Sequence, residues 1–188
     1  IRDSIYTEGI TKITDVDFKY ASKLDVSIKL IGSSRKVGNG FAAMVAPKMI
    51  SNDHPLAGVN GVMNAIFVKG NVLGDVMFYG AGAGKLPTAS AVVSDVVDAV
   101  KHMGTNIMTI WSTHKADLVD IKNVVTRFFI RVKGDDDAAV KAAFDGEIVR
   151  VDGVTGEFGC VTAPMTEKEY ADKAAGFDGI ISMIRYEG

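Results

Sequence analysis

A single cysteine, Cys160, stands in the 188 residues, so no disulfide can form within the chain and a reduced, cytoplasmic setting is the expectation. Its surroundings, "EFGCVTA", hold nothing that would lower a thiol pKa, which favours a buried, inert thiol over a nucleophile. Basic excess is missing as well. Lys and Arg number 21 against 23 Asp and Glu, for a net charge of -2, so nothing electrostatic argues for nucleic acid. No uninterrupted apolar run reaches the roughly 18 residues of a membrane span, and no signal peptide is read. The three histidines, His54, His102 and His114, have no further ligand at a metal-binding spacing, so no metal site is expected. The first residue is Ile1 rather than Met, which points to a processed product or, in preference, a segment of something longer.

What is present reads as ordinary globular sequence, with 47% hydrophobic and 23% charged residues and a length that suits one domain or two small ones. Thr14 and Asp17 make a capping-box start for a helix with Val16, Tyr20, Ala21 and Leu24 on one face. Strands are predicted over 26–34 and 40–50, followed by a polar turn that Pro55 keeps irregular. "VNGVMNAIFVKGNVLGDVMFYG" predicts two strands around a Lys69-Gly70-Asn71 hairpin turn. A helix of about five turns follows from Pro87 to near Met103, with Val92, Val93, Val96, Val97 and Val100 as an apolar stripe and Gly104 as its stop. The pattern weakens over 105–122. Beyond it, strand 126–134, helix 135–144, strands in "GEIVRVDG" and "EFGCVTAPM", a helix from Thr166 and a last strand "GIISMIRYE" give β-α-β-β-α-β, the ferredoxin-like arrangement. The expected fold class is α+β: a mixed or antiparallel sheet with helices over 1–104, a linker over 105–122, and a ferredoxin-like module over 123–188.

Between the hairpin and the long helix lies "YGAGAGKLPTASAVV". It is not a P-loop: Leu86 stands where Ser or Thr should follow Gly84-Lys85, and Tyr79 where the first glycine belongs. It is not a Rossmann fingerprint either, since Lys85 and Pro87 occupy the third-glycine positions. The glycines still allow close backbone approach, and Pro87 opens a helix whose N-terminus offers free N–H groups and a positive dipole. The spacing alone favours a tight strand-to-helix turn over a cofactor contact.

The segments "HPLAGVNGVMNAIFV" and "GDVMFYGAGAGKLPTASAVVSDVVDA", with "EGITKITDVDFKYASKL" before them, resemble homoserine dehydrogenase from about residue 5 to 103. The resemblance implies an NAD(P)-dependent oxidoreductase interconverting L-homoserine and L-aspartate 4-semialdehyde, in threonine and methionine biosynthesis. It implies that the nucleotide-binding domain and the catalytic lysine lie upstream of Ile1, so no catalytic residue is expected in this chain. It also implies that the chain is inactive alone and holds no cofactor by itself. Gly80 first, and Gly82 second, are the residues the resemblance places near the nicotinamide, which reverses the reading from spacing. Lys85 is set aside as a catalytic lysine for the same reason. His54 is read as structural, Glu8 as a cap or ion-pair partner, Asn60 and Asn64 as partners of buried backbone groups, and Met44, Met49, Met63 and Met77 as core or interface filler. A homodimer or higher homo-oligomer is implied.

The tail over 123–188 resembles the regulatory ACT domain of bacterial family members, for which threonine would be the ligand. The ligand loop of that domain often reads D-x-P-G; here it is "KGDDDAA", which keeps Gly134, lacks the proline, and sets three aspartates where a ligand carboxylate would be repelled. A dimerisation or scaffold role is the alternative for the tail. A non-enzymatic amino-acid-sensing or assembly module is the alternative for the whole.

Overall fold

The computed structural model describes residues 2–108 and 110–188. After a 3₁₀ turn at Arg2–Ser4, the elements in chain order are β1 (Tyr6–Thr7), α1 (Asp15–Lys23), β2 (Val26–Val37), β3 (Gly40–Ser51), β4 (Met63–Gly70), β5 (Gly74–Ala81) and α2 (Lys85–Lys101). A second 3₁₀ turn (Ile121–Asn123) precedes β6 (Val125–Lys133), α3 (Asp137–Phe144), β7 (Glu147–Val149), β8 (Glu157–Val161), β9 (Met165–Thr166), α4 (Glu167–Ala174) and β10 (Ile180–Glu187). The chain forms two compact units, 54–115 in one and 1–53 with 116–188 in the other. The expected segment 1–104 is thus divided between them. The physical reason is strand pairing: β10 runs parallel to β3, Arg185 opposite Lys48 and Glu187 opposite Ile50, so the two ends of the chain share one sheet.

That sheet has eight strands. β2 pairs antiparallel with β3 along its full length, from Val26 opposite Ser51 to Val37 opposite Gly40. The other edge of β3 is shared, with β1 at Met44 and Val45 and β10 at Lys48 to Ile50. The antiparallel order then runs β10, β6, β8, β7. With α3 and α4 as crossovers, residues 125–187 have the β-α-β-β-α-β order that the sequence predicts, with one addition, the two-residue strand β9 before α4, which pairs with the start of β6.

Both faces of the four-strand part are covered, because Phe128, Phe129 and Ile130 are consecutive buried apolar residues of β6 and successive side chains point to opposite faces. Phe128, Ile130 and Val132 pack on Val140, Phe144 and Tyr170 of α3 and α4. Phe129, on the opposite face, packs with Val161 and Ile184 against Tyr20 and Ala21 of α1. Phe128, Phe129, Phe144 and Phe158 are fully buried, each worth about 1.5–3 kcal/mol of transfer free energy.

Local starts follow the sequence. Asp17 accepts from the Thr14 amide and hydroxyl at 2.7 Å each. Thr166 and Glu169 form the same box on α4. Asp136 caps α3 by accepting from Ala139. The strand expected in "GEIVRVDG" stops at Val149, and Arg150 turns outward to Asp137 (2.8 Å) and over the Phe158 ring. Among the described residues no helix is long and apolar enough to cross a membrane.

In the 54–115 unit, β4 and β5 form an antiparallel pair with Met63 opposite Ala81 and Gly70 opposite Gly74. The expected Lys69-Gly70-Asn71 turn is shifted: Lys69 and Gly70 stay in β4, and Asn71 to Leu73 make the turn. Gly74 supplies the positive φ (+73°) that a three-residue loop requires.

Candidate functional site: the glycine loop and the start of the long helix

β5 delivers Gly80 and Ala81 to the loop, and α2 begins four residues later. The three glycines serve different ends. Gly84 is the N-cap of α2 at φ +119°, a conformation L side chains rarely adopt. Gly82 lies under Asn64 of β4: a Cβ there would overlap the Asn64 amide nitrogen and come within 2.7 Å of its Cγ. Gly82 donates its N–H to the Val62 carbonyl (3.3 Å), and Asn64 Nδ2 donates to the same oxygen (3.4 Å). Gly80, opposite Asn64 in the ladder, differs from both. A Cβ on Gly80 would meet nothing within 4 Å, so no packing inside the chain requires glycine there.

The start of α2 is uncapped by any side chain and has no acidic residue in its first turn. Thr88 is the first residue to bond back, to the Gly84 carbonyl at 3.1 Å. Pro87 has no N–H, which leaves the Lys85 and Leu86 amides as the free donors beside the helix dipole. α1, α3 and α4 each carry acids in the first turn instead. Gly80, the open amides and Lys85 are thus compatible with a group that carries negative charge and needs close backbone approach.

The other candidates resolve as structural. His54 accepts from the Leu56 amide at 3.1 Å through Nδ1, and its ring meets Phe67 edge-on at 5.1 Å. Asn60 and Asn64 serve local carbonyls, as expected of them, but these are exposed rather than buried. Met44 and Met49 are buried, whereas Met77 is exposed. Burial pushes the Cys160 thiol up to about 11, which leaves it protonated and inert. No group of His, Cys, Asp and Glu among the described residues could hold a metal.

The residues missed in the sequence are the buried arginines. Arg185, 2% exposed, is bidentate to Glu167 (2.6 and 3.0 Å), bonds Glu8 at 2.9 Å and lies over the Tyr6 ring. Arg131 is bidentate to Glu157 (2.8 Å each) and also bonds Thr14 and Asp17. Glu8 is therefore an ion-pair partner. No local signal marks these residues, because their partners lie up to 177 positions away.

A family model described as homoserine dehydrogenase matches residues 2–97. Homoserine dehydrogenase of Pseudomonas aeruginosa is 34% identical over 192 residues, covering 97% of this chain and 41% of that protein. That of Mycobacterium bovis is 32% identical over 216 residues, covering 99% and 49%. The crystal structure of a homoserine dehydrogenase from Thiobacillus denitrificans superposes with a TM-score of 0.80 at 29% identity, over 98% of this chain and 48% of that one. The homoserine dehydrogenase of S. aureus at pH 7.5 gives 0.74 at 26% identity, with 99% and 48% covered. The chain spans about half the length of these relatives, and across that span it belongs to the homoserine dehydrogenase family.

Proposed function

We propose that this chain is the C-terminal half of an NAD(P)-dependent homoserine dehydrogenase, an oxidoreductase of amino-acid biosynthesis acting between L-homoserine and L-aspartate 4-semialdehyde. The observation that carries the reading is the match to homoserine dehydrogenases along 97–99% of the chain, rather than over the glycine loop alone. The cofactor, when bound, supplies the hydride acceptor for the alcohol carbon. This chain contributes backbone room at Gly80 and free amides at the start of α2, where a negatively charged group is favoured. Gly82 is the weaker candidate, since its lack of a side chain is already explained by Asn64. The nucleotide-binding domain and catalytic lysine belong to the part of the enzyme that these 188 residues do not include, so the chain alone is inactive.

The homodimer and the ACT-type tail belong to the same proposal. No residue of α2 is buried, and the valine stripe stands 46–61% exposed, which is how a face covered by another subunit or domain looks when that cover is absent. The β-α-β-β-α-β order over 125–187 supports the ACT-type reading of the tail. The test is homoserine-dependent reduction of NAD and NADP by the full-length gene product, with and without threonine, in the cytoplasmic fraction. Activity is expected, and threonine inhibition would give the tail a regulatory role. Activity without inhibition would make the tail structural, and no activity would favour the non-enzymatic sensing module. Homoserine oxidation by the isolated chain would overturn its expected inactivity.

A further inference from the structure

Two Asn-Gly pairs stand in the chain, Asn39-Gly40 and Asn60-Gly61. In such a pair the glycine nitrogen can attack the side-chain carbonyl of the asparagine before it, because no Cβ hinders the approach and the backbone bends freely. The attack requires an amide that is not held by another bond. Asn39-Gly40 does not meet that requirement. Gly38 and Asn39 turn the hairpin between β2 and β3, and Gly40 stands opposite Val37. Phe41 points its N–H to the Asp117 carbonyl (2.8 Å) and its carbonyl to the Val119 amide (2.9 Å), away from β2. By the alternation of an antiparallel ladder, the Gly40 N–H therefore faces Val37 and closes the hairpin. Gly40 is also buried, and a Cβ on it would come within 2.7 Å of the Asp117 carbonyl oxygen. Asn60-Gly61 is the opposite case. Both residues are exposed. Gly61 sits at φ +65° in a turn that Met63 closes by donating its N–H to the Asn60 carbonyl at 3.3 Å. The Gly61 N–H has no acceptor among the described residues. The Asn60 side-chain nitrogen, which would be the leaving group, donates to the Gly58 carbonyl at 3.3 Å.

We propose that Asn60-Gly61 is a site of spontaneous deamidation, and that the fold protects Asn39-Gly40 from the same chemistry. The Gly61 nitrogen forms a bond to Asn60 Cγ while the Cγ–Nδ2 bond breaks. Nδ2 leaves as ammonia and takes the proton that the Gly61 N–H gives up. The five-membered succinimide then takes up one water from solvent. Opening at Cγ leaves aspartate at position 60; opening at the main-chain carbonyl carbon leaves isoaspartate, with the chain running through Cβ. Nothing is oxidised or reduced. Both products add a negative charge, and isoaspartate also lengthens the main chain inside the turn that leads to Val62. The Val62 carbonyl accepts from the Gly82 N–H (3.3 Å) and from Asn64 Nδ2 (3.4 Å), so the altered turn acts directly on the hold that β4 has on the glycine loop. The proposal does not rest on the reaction proposed above, because the modification is read without turnover.

The test is to age the full-length gene product at mildly alkaline pH, folded and in urea, and to follow both sites by tryptic peptide mass spectrometry against an unaged sample. Cleavage after Lys36, Lys48 and Lys69 places Asn39 in peptide 37–48 and Asn60 in peptide 49–69. Fragment ions locate the changed residue, and methyl transfer by an isoaspartyl methyltransferase reports isoaspartate. In the folded protein Asn60 should convert at least about tenfold faster than Asn39, because the Gly40 amide must first be released by local opening. In urea, where the hairpin is open, the two rates should agree within about threefold. Asn60→Gln, whose longer side chain disfavours the ring, should abolish the mass gain and the methyl label in peptide 49–69 and leave peptide 37–48 unchanged. Three results would each overturn the proposal: Asn39 converting as fast as Asn60 in the folded protein, Asn60 converting only in urea, or the tenfold ratio persisting in urea, which would assign it to neighbouring residues rather than to the fold.

Discussion

Arg185 shows what single buried charges do in this molecule. Its guanidinium is 2% exposed and ties the N-terminal strand, through Glu8, to the first turn of α4, through Glu167. Both carboxylates hold it well above the already high arginine range against the opposing effect of burial. Arg185→Met removes the cation and leaves two partly buried carboxylates facing each other. A loss of about 3–5 kcal/mol is expected in urea unfolding, because breaking a buried pair strands its partners. A loss below about 1 kcal/mol would show that solvent reaches the site and screens it. Cys160 gives a second residue-scale prediction. Burial raises its thiol from the usual 9 to about 11, so between those values the folded chain keeps a proton that the unfolded chain releases. Its contribution is full below pH 9 and is lost as pH rises toward 11, by about 2–3 kcal/mol at most. Unfolding measured across that window should fall less steeply for Cys160→Ala than for the parent, and equal slopes would contradict the assignment.

The glycine loop separates packing from function at the scale of one element. Gly82→Ala drives a methyl into Asn64 and forces its side chain to move, at an expected cost of about 1–3 kcal/mol. Gly80→Val enters open space within the chain, in a strand, and should leave stability within about 0.5 kcal/mol or improve it. In the full-length enzyme the same Gly80→Val change should raise the cofactor KM while the protein stays folded. An unchanged KM would reduce the loop to a turn. The elements themselves were largely legible. Thr14 with Asp17 and Thr166 with Glu169 announce two helix starts, because a capping box is satisfied within four residues. The hairpin turn moved by two residues because Gly70 and Gly74 are both plausible turn glycines and only the strand register chooses between them. The loop's division of labour was not legible, since the side chain that crowds Gly82 lies on the partner strand.

At the scale of the molecule, the boundary expected between 104 and 123 reflects composition, whereas the sheet follows hydrogen bonds. β3 and β10 are 129 or more positions apart in sequence, yet Arg185 to Glu187 pair with Lys48 to Ile50. Periodicity names a strand and its buried face but carries no address for a distant neighbour, so the shared sheet, and α1 as the cover for Phe129, Val161 and Ile184, became visible only in three dimensions. The pairing has a consequence for cooperativity. If residues 123–188 folded by themselves, β6 would keep its amide protection after β2 and β3 had opened. The structure argues against this: α1 supplies one of the two layers over β6, and Arg131 and Arg185 bind acids from both ends of the chain. Native-state hydrogen exchange in low guanidinium should therefore give β3 and β6 the same opening free energy and the same denaturant dependence, as one cooperative block. Protection of Phe128 to Val132 that outlasts that of Met44 to Ile50 by more than about 1 kcal/mol would mean that the tail is an autonomous module leaning on the sheet rather than part of it.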